Sequence, residues 1–139
     1  MTIEGSSPTA IVVGEIVGWR FWRISSESNL LWSVTLTGHE WLPGLPMRGD
    51  PGAIPSMPFS RPGVYAFVDM STALQETGEA LTKYLIGGSV YLYGLVIVHS
   101  KGYRASHAVV KEVEYIGGNT PTRLTAAQWT ERYNVNQQE

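Results

Sequence analysis

Two long apolar segments joined by a short polar turn constrain this chain more than any other feature. Residues 89–98 and 103–115 are rich in Val, Tyr, Leu and Ile, and His99-Ser100-Lys101-Gly102 connects them. Side chains alternate along a strand. Val90, Leu92, Val96 and Val98 therefore face one way, and Tyr91, Tyr93, Leu95 and Ile97 the other. Both faces are apolar, the mark of a strand covered on both sides. A hairpin of that kind needs further structure packed above and below it. The apolar run 86–98 is 13 residues long and carries three glycines, which suits a buried strand and is too short for a membrane span.

The remaining elements follow from local chemistry. Residues 10–17, 19–24 and 30–36 read as strands, and 25–29 is a polar connection of hairpin type. Residues 64–68 form another short strand. From Asp69 to Leu85 the apolar spacing becomes helical, through Ala73, Leu74, Thr77, Ala80, Leu81, Tyr84 and Leu85. Asp69 or Ser71 is the expected N-cap, and Gly87-Gly88 the expected stop. Thr125-x-x-Gln128 has the form of a capping box opening a short helix through Trp129 and Tyr133.

Between 43 and 63 the composition shifts, with six prolines and four glycines in 21 residues. Proline removes a backbone donor and restricts the residue before it, so this stretch reads as an extended loop. Met47, Ile54, Met57 and Phe59 would pin it to the domain surface. The order is β-β-β, long loop, β-α-β-β, short α. The expected fold is α+β: a twisted, mostly antiparallel sheet or small open barrel with one packed helix and a short C-terminal helix. One domain spans 10–133, between a flexible N-terminus (1–9) and a frayed tail (134–139).

Composition removes whole classes of function. The 139 residues suit one domain with a packed core. With no cysteine, disulfides, thiolate metal sites and cysteine nucleophiles are excluded. Ten basic against twelve acidic residues, a net charge of −2, gives no overall drive onto duplex nucleic acid. The N-terminus is polar and lacks a basic region ahead of an apolar one, so a soluble, cytoplasmic protein is expected, with no membrane partner.

Catalytic constellations are scarce. No glycine pattern has phosphate-loop spacing, and no cofactor is expected. The histidines are His39, His99 and His107. His99 and His107 sit near the arms of one hairpin and could converge with Glu40 or Glu112, yet no chelating spacing supports a metal site. Ser100 or Ser106 could meet a histidine, but no elbow motif presents either serine. An enzyme would have only His99, Tyr103, Arg104 and His107 to work with.

Aromatic–basic interleaving is the better signal. In Trp19-Arg20-Phe21-Trp22-Arg23, Trp19, Phe21 and Arg23 share one strand face, and Arg20 and Trp22 the other. Trp32 and Trp41 add ring surface, and the turn through His99, Lys101, Tyr103 and Arg104 adds cations; the alternative for that turn is a solvated loop with Gly102 at positive φ. These residue types recur as hot spots at protein interfaces and as stacking platforms for bases. The alternative for the tryptophans is a place in the core. The candidate binding residues are Arg20, Trp22, Arg23, Trp41, His99, Lys101, Tyr103, Arg104 and His107.

Four motifs in order, Gly18-Trp19-Arg20-x-Trp22-Arg23, Trp41-x-Pro43-Gly44, Gly63-Val64-Tyr65-Ala66 and Gly94-x-Val96-x-x-His99-x-x-Gly102-Tyr103-Arg104-Ala105, carry a resemblance. The chain resembles a family of small uncharacterised domains of actinobacteria and their phages. The resemblance covers residues 18–115 and implies a source and a shared fold, but no reaction. It also implies cysteines and a histidine in relatives within the stretch matching 43–63. Here that stretch holds Arg48, Asp50 and Arg61, so a metal bound there by relatives is not expected in this chain.

The expected function is a non-enzymatic binding module, phage-encoded on the resemblance, that attaches to a host or phage protein through its aromatic–basic surface and proline-rich loop. A homo-oligomer built on the Tyr91/Tyr93 face is a variant of it. The alternative is recognition of a nucleotide or single-stranded nucleic acid on the aromatic–basic sheet face.

Overall fold

In the computed structural model the described residues are 10–13, 15–25, 30–34, 40–43, 45–49 and 63–134. The long hairpin is the frame: β6 (Ile86–Val98) and β7 (Gly102–Ile116) pair antiparallel along their whole length. The other strands are β1 (Ala10–Val13), β2 (Ile16–Ile24), β3 (Leu31–Ser33), β4 (Met47–Arg48) and β5 (Val64–Phe67). All described pairings are antiparallel. β6 pairs with β2 through its first half and with β1 through its last residues. β7 takes β5 near the turn and β4 next to it. β5 touches β2 at one residue pair, Trp19 with Phe67, so β2, β6, β7 and β5 close a ring.

The ring encloses one face of the hairpin, while the other stays partly open at Tyr91, Tyr93 and Leu95, which corrects the reading of a strand covered on both sides. Inside lies the main core, including Trp22, Trp41, Val64, Ala66, Val90, Leu92, Val96 and Ala105. Outside β2 and β5, helix α1 (Met70–Thr77) covers a second cluster of Phe21, Phe67, Ala73 and Leu85. Helix α3 (Ala126–Asn134) lies against β7 and carries Trp129 and Tyr133 into the main core. The α+β, mostly antiparallel reading of the sequence therefore holds.

Several local expectations hold for their stated reasons. Asp69 caps α1 by accepting from the Thr72 backbone N–H at 2.7 Å. The box at α3 is complete: Gln128 N–H donates to Thr125 Oγ1 at 3.1 Å, and Thr125 N–H donates to Gln128 Oε1 at 2.8 Å.

Other expectations are corrected. The first strand breaks before Ile16, so residues 10–17 form parts of two strands. The single helix from 69 to 85 is split: Gly78, at φ 94°, ends α1, and a short α2 (Glu79–Thr82) follows. Gly87 and Gly88 do not stop a helix but lie inside β6, where packing requires them. A Cβ on Gly87 would meet the Phe21 ring at 2.5 Å, and one on Gly88 the Glu112 carbonyl at 2.1 Å. Gly102 is not at positive φ; it is needed because a Cβ there would sit 2.3 Å from the Ala66 carbonyl. Met47 and Arg48, read as loop, form β4 against Ala108 and His107. Asn134, read as frayed tail, ends α3 and donates through Nδ2 to the Lys111 carbonyl at 3.1 Å. Most of the proline-rich stretch, together with residues 1–9 and 135–139, lies outside the described residues.

Candidate functional site

The structure divides the nine sequence candidates into a buried set and a surface set. Arg20, Trp22, Trp41 and His99 are buried, which corrects their reading as exposed contacts. The alternation in β2 is as expected, but the ring and α1 cover both of its faces. Arg23, beyond the ring, is the exposed exception and lies over the Trp32 ring at 5.2 Å.

Arg20 organises the buried set. Along one edge of β2 it lies between the Trp19–Phe67 pair and the Trp22–Ser33 pair, where the strands part. Its Nη1 donates to the Tyr65 carbonyl at 3.0 Å and its Nη2 to Ser33 Oγ at 3.3 Å, so a side chain bridges where backbone pairing ends. Ser33 Oγ also accepts from Trp41 Nε1 at 2.9 Å. The guanidinium lies 4.7 Å from the centroid of the Trp41 ring, 5.3 Å from Tyr65 and 5.9 Å from Trp22. Burial pulls the Arg20 pKa down to about 10, and the nearby Tyr65 partly opposes that. Burial likewise raises Tyr65, with the Arg20 charge pulling the other way.

At the hairpin turn, Arg104 Nε donates to His99 Nε2 at 3.1 Å. This contact requires His99 Nε2 to be unprotonated. His99 is only 6% exposed, whereas Ser100 and Lys101 at the tip of the turn are exposed. Register places Arg104 opposite Tyr65. Tyr65 thus connects the two aromatic–basic segments that the sequence presented separately. It stood within a noted motif, but only the strand pairing reveals its position. Lys101 is exposed and paired with Glu76 at 3.1 Å. Tyr103 is half-buried against the main core.

His107 does not join His99. Its ring stacks on Tyr93, with centroids 5.0 Å apart and planes 19° apart. Among the described residues no group of three or more His, Asp or Glu side chains is arranged to hold a metal ion. Ser106 lies beside His107 at the bulge where Gly94 takes φ 78°. Its Oγ accepts from the Leu95 N–H at 3.0 Å, donates to the Tyr93 carbonyl at 3.2 Å, and is 2.9 Å from His107 Nδ1. The serine is a clamp on the bulge, tied to backbone groups on both sides of Gly94.

Around this stack the outer face of the hairpin continues. Lys111 Nζ lies 5.9 Å from the Tyr91 ring centroid, Leu95 is exposed, and register places the exposed Arg48 across from His107. Two depressions in the described surface, between β7 and α3 and between α1, α2 and Tyr115, are open to solvent and contain none of the nine candidates. No family model, curated protein or solved structure matches the chain. Among the described residues no helix is long and apolar enough to cross a membrane.

Proposed function

We propose that this chain is a non-enzymatic binding module that holds a protein partner, of host or phage origin, on the outer face of β6 and β7. The observation that carries this reading is the half-exposed Tyr93–His107 stack, held in place by the Ser106 clamp. Aromatic rings fixed before binding lose little conformational freedom when a partner covers them. Tyr91, Leu95 and the cations Arg48 and Lys111 extend the face around that stack. The surface is open rather than enclosed, which suits a protein better than a small molecule. The nucleotide alternative loses Trp22 and Trp41 as stacking surfaces to the core, and retains Arg23 over Trp32.

The test is affinity capture from a lysate of the source organism, with and without nuclease, using wild type, Tyr93→Ala and Arg23→Ala. The expected result is one stoichiometric protein that survives nuclease, is retained by Arg23→Ala and is lost with Tyr93→Ala. Nucleic acid or nucleotide that is lost with Arg23→Ala overturns the proposal in favour of the alternative. Self-association lost with Tyr93→Ala, read by sedimentation, would make the partner a second copy of this chain.

A further inference from the structure

Arg20 poses a problem that its visible contacts leave unsolved. It is 4% exposed, and among the described residues no carboxylate pairs with it. Its five N–H donors meet two acceptors, the Tyr65 carbonyl and Ser33 Oγ, and the latter is shared with Trp41. Among the described residues Nε has no partner. Two positions along the strand, the indole Nε1 of the fully buried Trp22 has none either. Both are N–H donors, both are sealed from solvent, and their side chains share one strand face. Buried polar groups are almost always partnered, so two orphan donors beside a cation that no carboxylate pairs point to an acceptor of negative charge.

The shape of the site narrows the chemistry. The free Nε–H and its neighbouring Nη–H form the side edge of a guanidinium, the edge that takes a carboxylate through two parallel hydrogen bonds. Rings of Trp22, Trp41 and Tyr65 surround the guanidinium. Flat walls suit a planar anion better than a tetrahedral one.

We infer that Arg20 and Trp22 form an internal receptor for a small carboxylate of formate or acetate size, independent of the outer face. Entry requires the β2–β5 seam to part, and a single residue pair, Trp19 with Phe67, joins those strands. Binding is therefore slow, and it protects the backbone amides of β2 and β5 from hydrogen exchange.

The test titrates the intact protein with sodium formate at fixed ionic strength, balanced with chloride, and follows tryptophan fluorescence and melting temperature. Sulfate and benzoate serve as tetrahedral and oversized controls. The expected result is saturation by formate and acetate and none by the controls. Trp22→Phe keeps an aromatic ring, though a smaller one, and removes the orphan N–H; it should weaken formate binding about tenfold while leaving the melting temperature in chloride within a few degrees. Arg20→Gln should abolish binding; if that variant does not fold, Trp22→Phe decides. A response that does not saturate, that chloride or sulfate reproduces, or that is unchanged in Trp22→Phe overturns the inference.

Discussion

The interior around Arg20 and the outer face around Tyr93 use the same kinds of residue for opposite ends. In the first, a cation and three aromatic rings bridge a seam that backbone pairing leaves open. In the second, an aromatic pair is fixed by a serine clamp at a bulge and remains half-exposed. What separates them is the closure of the ring, which turns one face of β2 inward and one face of β6 outward. Composition marks a segment as aromatic and basic; topology decides whether it seals or binds.

The largest expected effect comes from breaking the interior. Trp41 is 2% exposed, packs edge-on against Trp22 at 5.5 Å, and shares Ser33 with Arg20. Trp41→Ala should destabilise the fold by ~3–5 kcal/mol, the loss expected for emptying a large aromatic site. Denaturant unfolding measures it. A loss below about 1 kcal/mol would show that the interior cluster is not structural, and the contrast between the regions would collapse.

Tyr133 tests the same interior at a polar contact. Its hydroxyl accepts from the Leu31 N–H at 2.7 Å and donates to the Trp41 carbonyl at 2.6 Å. Tyr133→Phe leaves both backbone groups unpartnered and should cost about 2–3 kcal/mol. Burial, partly offset by the Leu31 hydrogen bond, pushes the Tyr133 pKa up to about 12. Its contribution is therefore fully present below the usual tyrosine value near 10 and is lost as pH rises towards about 12. Arg20, held down at about 10, acts in the opposite direction, since deprotonation relieves a buried charge. That term is common to both proteins and cancels in the difference. The stability gap between wild type and Tyr133→Phe should narrow across this alkaline range, and a constant gap would mean the hydroxyl is not held as described.

The sequence carried the hairpin, the α1 cap and the α3 capping box because each rests on residues close together in the chain. It could not show which face of β2 was enclosed. Alternation assigned Arg20 and Trp22 to one side correctly, but Phe67 and α1 cover the other side as well. Gly87 and Gly88 were misread for a similar reason: what requires them is the Phe21 ring and the Glu112 carbonyl, both distant in sequence. Of the site residues, Ser106 was visible only as a candidate nucleophile. Its role as a clamp depends on a bulge that pairing alone creates. Arg48 was hidden in a proline-rich stretch that gave no sign of a strand.

On the outer face the expected stability effect is small. Tyr93→Ala loses a half-exposed ring and should cost about 1 kcal/mol or less, while abolishing partner capture. Binding lost without unfolding is the signature that separates this face from the interior. If Tyr93→Ala unfolds the protein as far as Trp41→Ala does, the outer face belongs to the core and the proposed partner site is wrong.

The smallest effect belongs at the α1 cap, which lies in neither cluster. The Asp69 carboxylate is held below its ordinary pKa by the hydrogen bonds from Thr72. A depressed carboxylate stabilises the fold above its unfolded pKa, and that contribution is lost as pH falls through the folded value. Asn also caps helices well but carries no charge. Asp69→Asn should therefore melt slightly below wild type at neutral pH, and the two should converge as the acid range is entered. Because the cap is solvent-exposed, added salt should shrink the neutral-pH difference. Neither the Trp41→Ala loss nor the Tyr133→Phe loss should respond to salt in that way. A gap that persists in acid would mean that the geometry of the Asp69 side chain, rather than its charge, holds the start of α1.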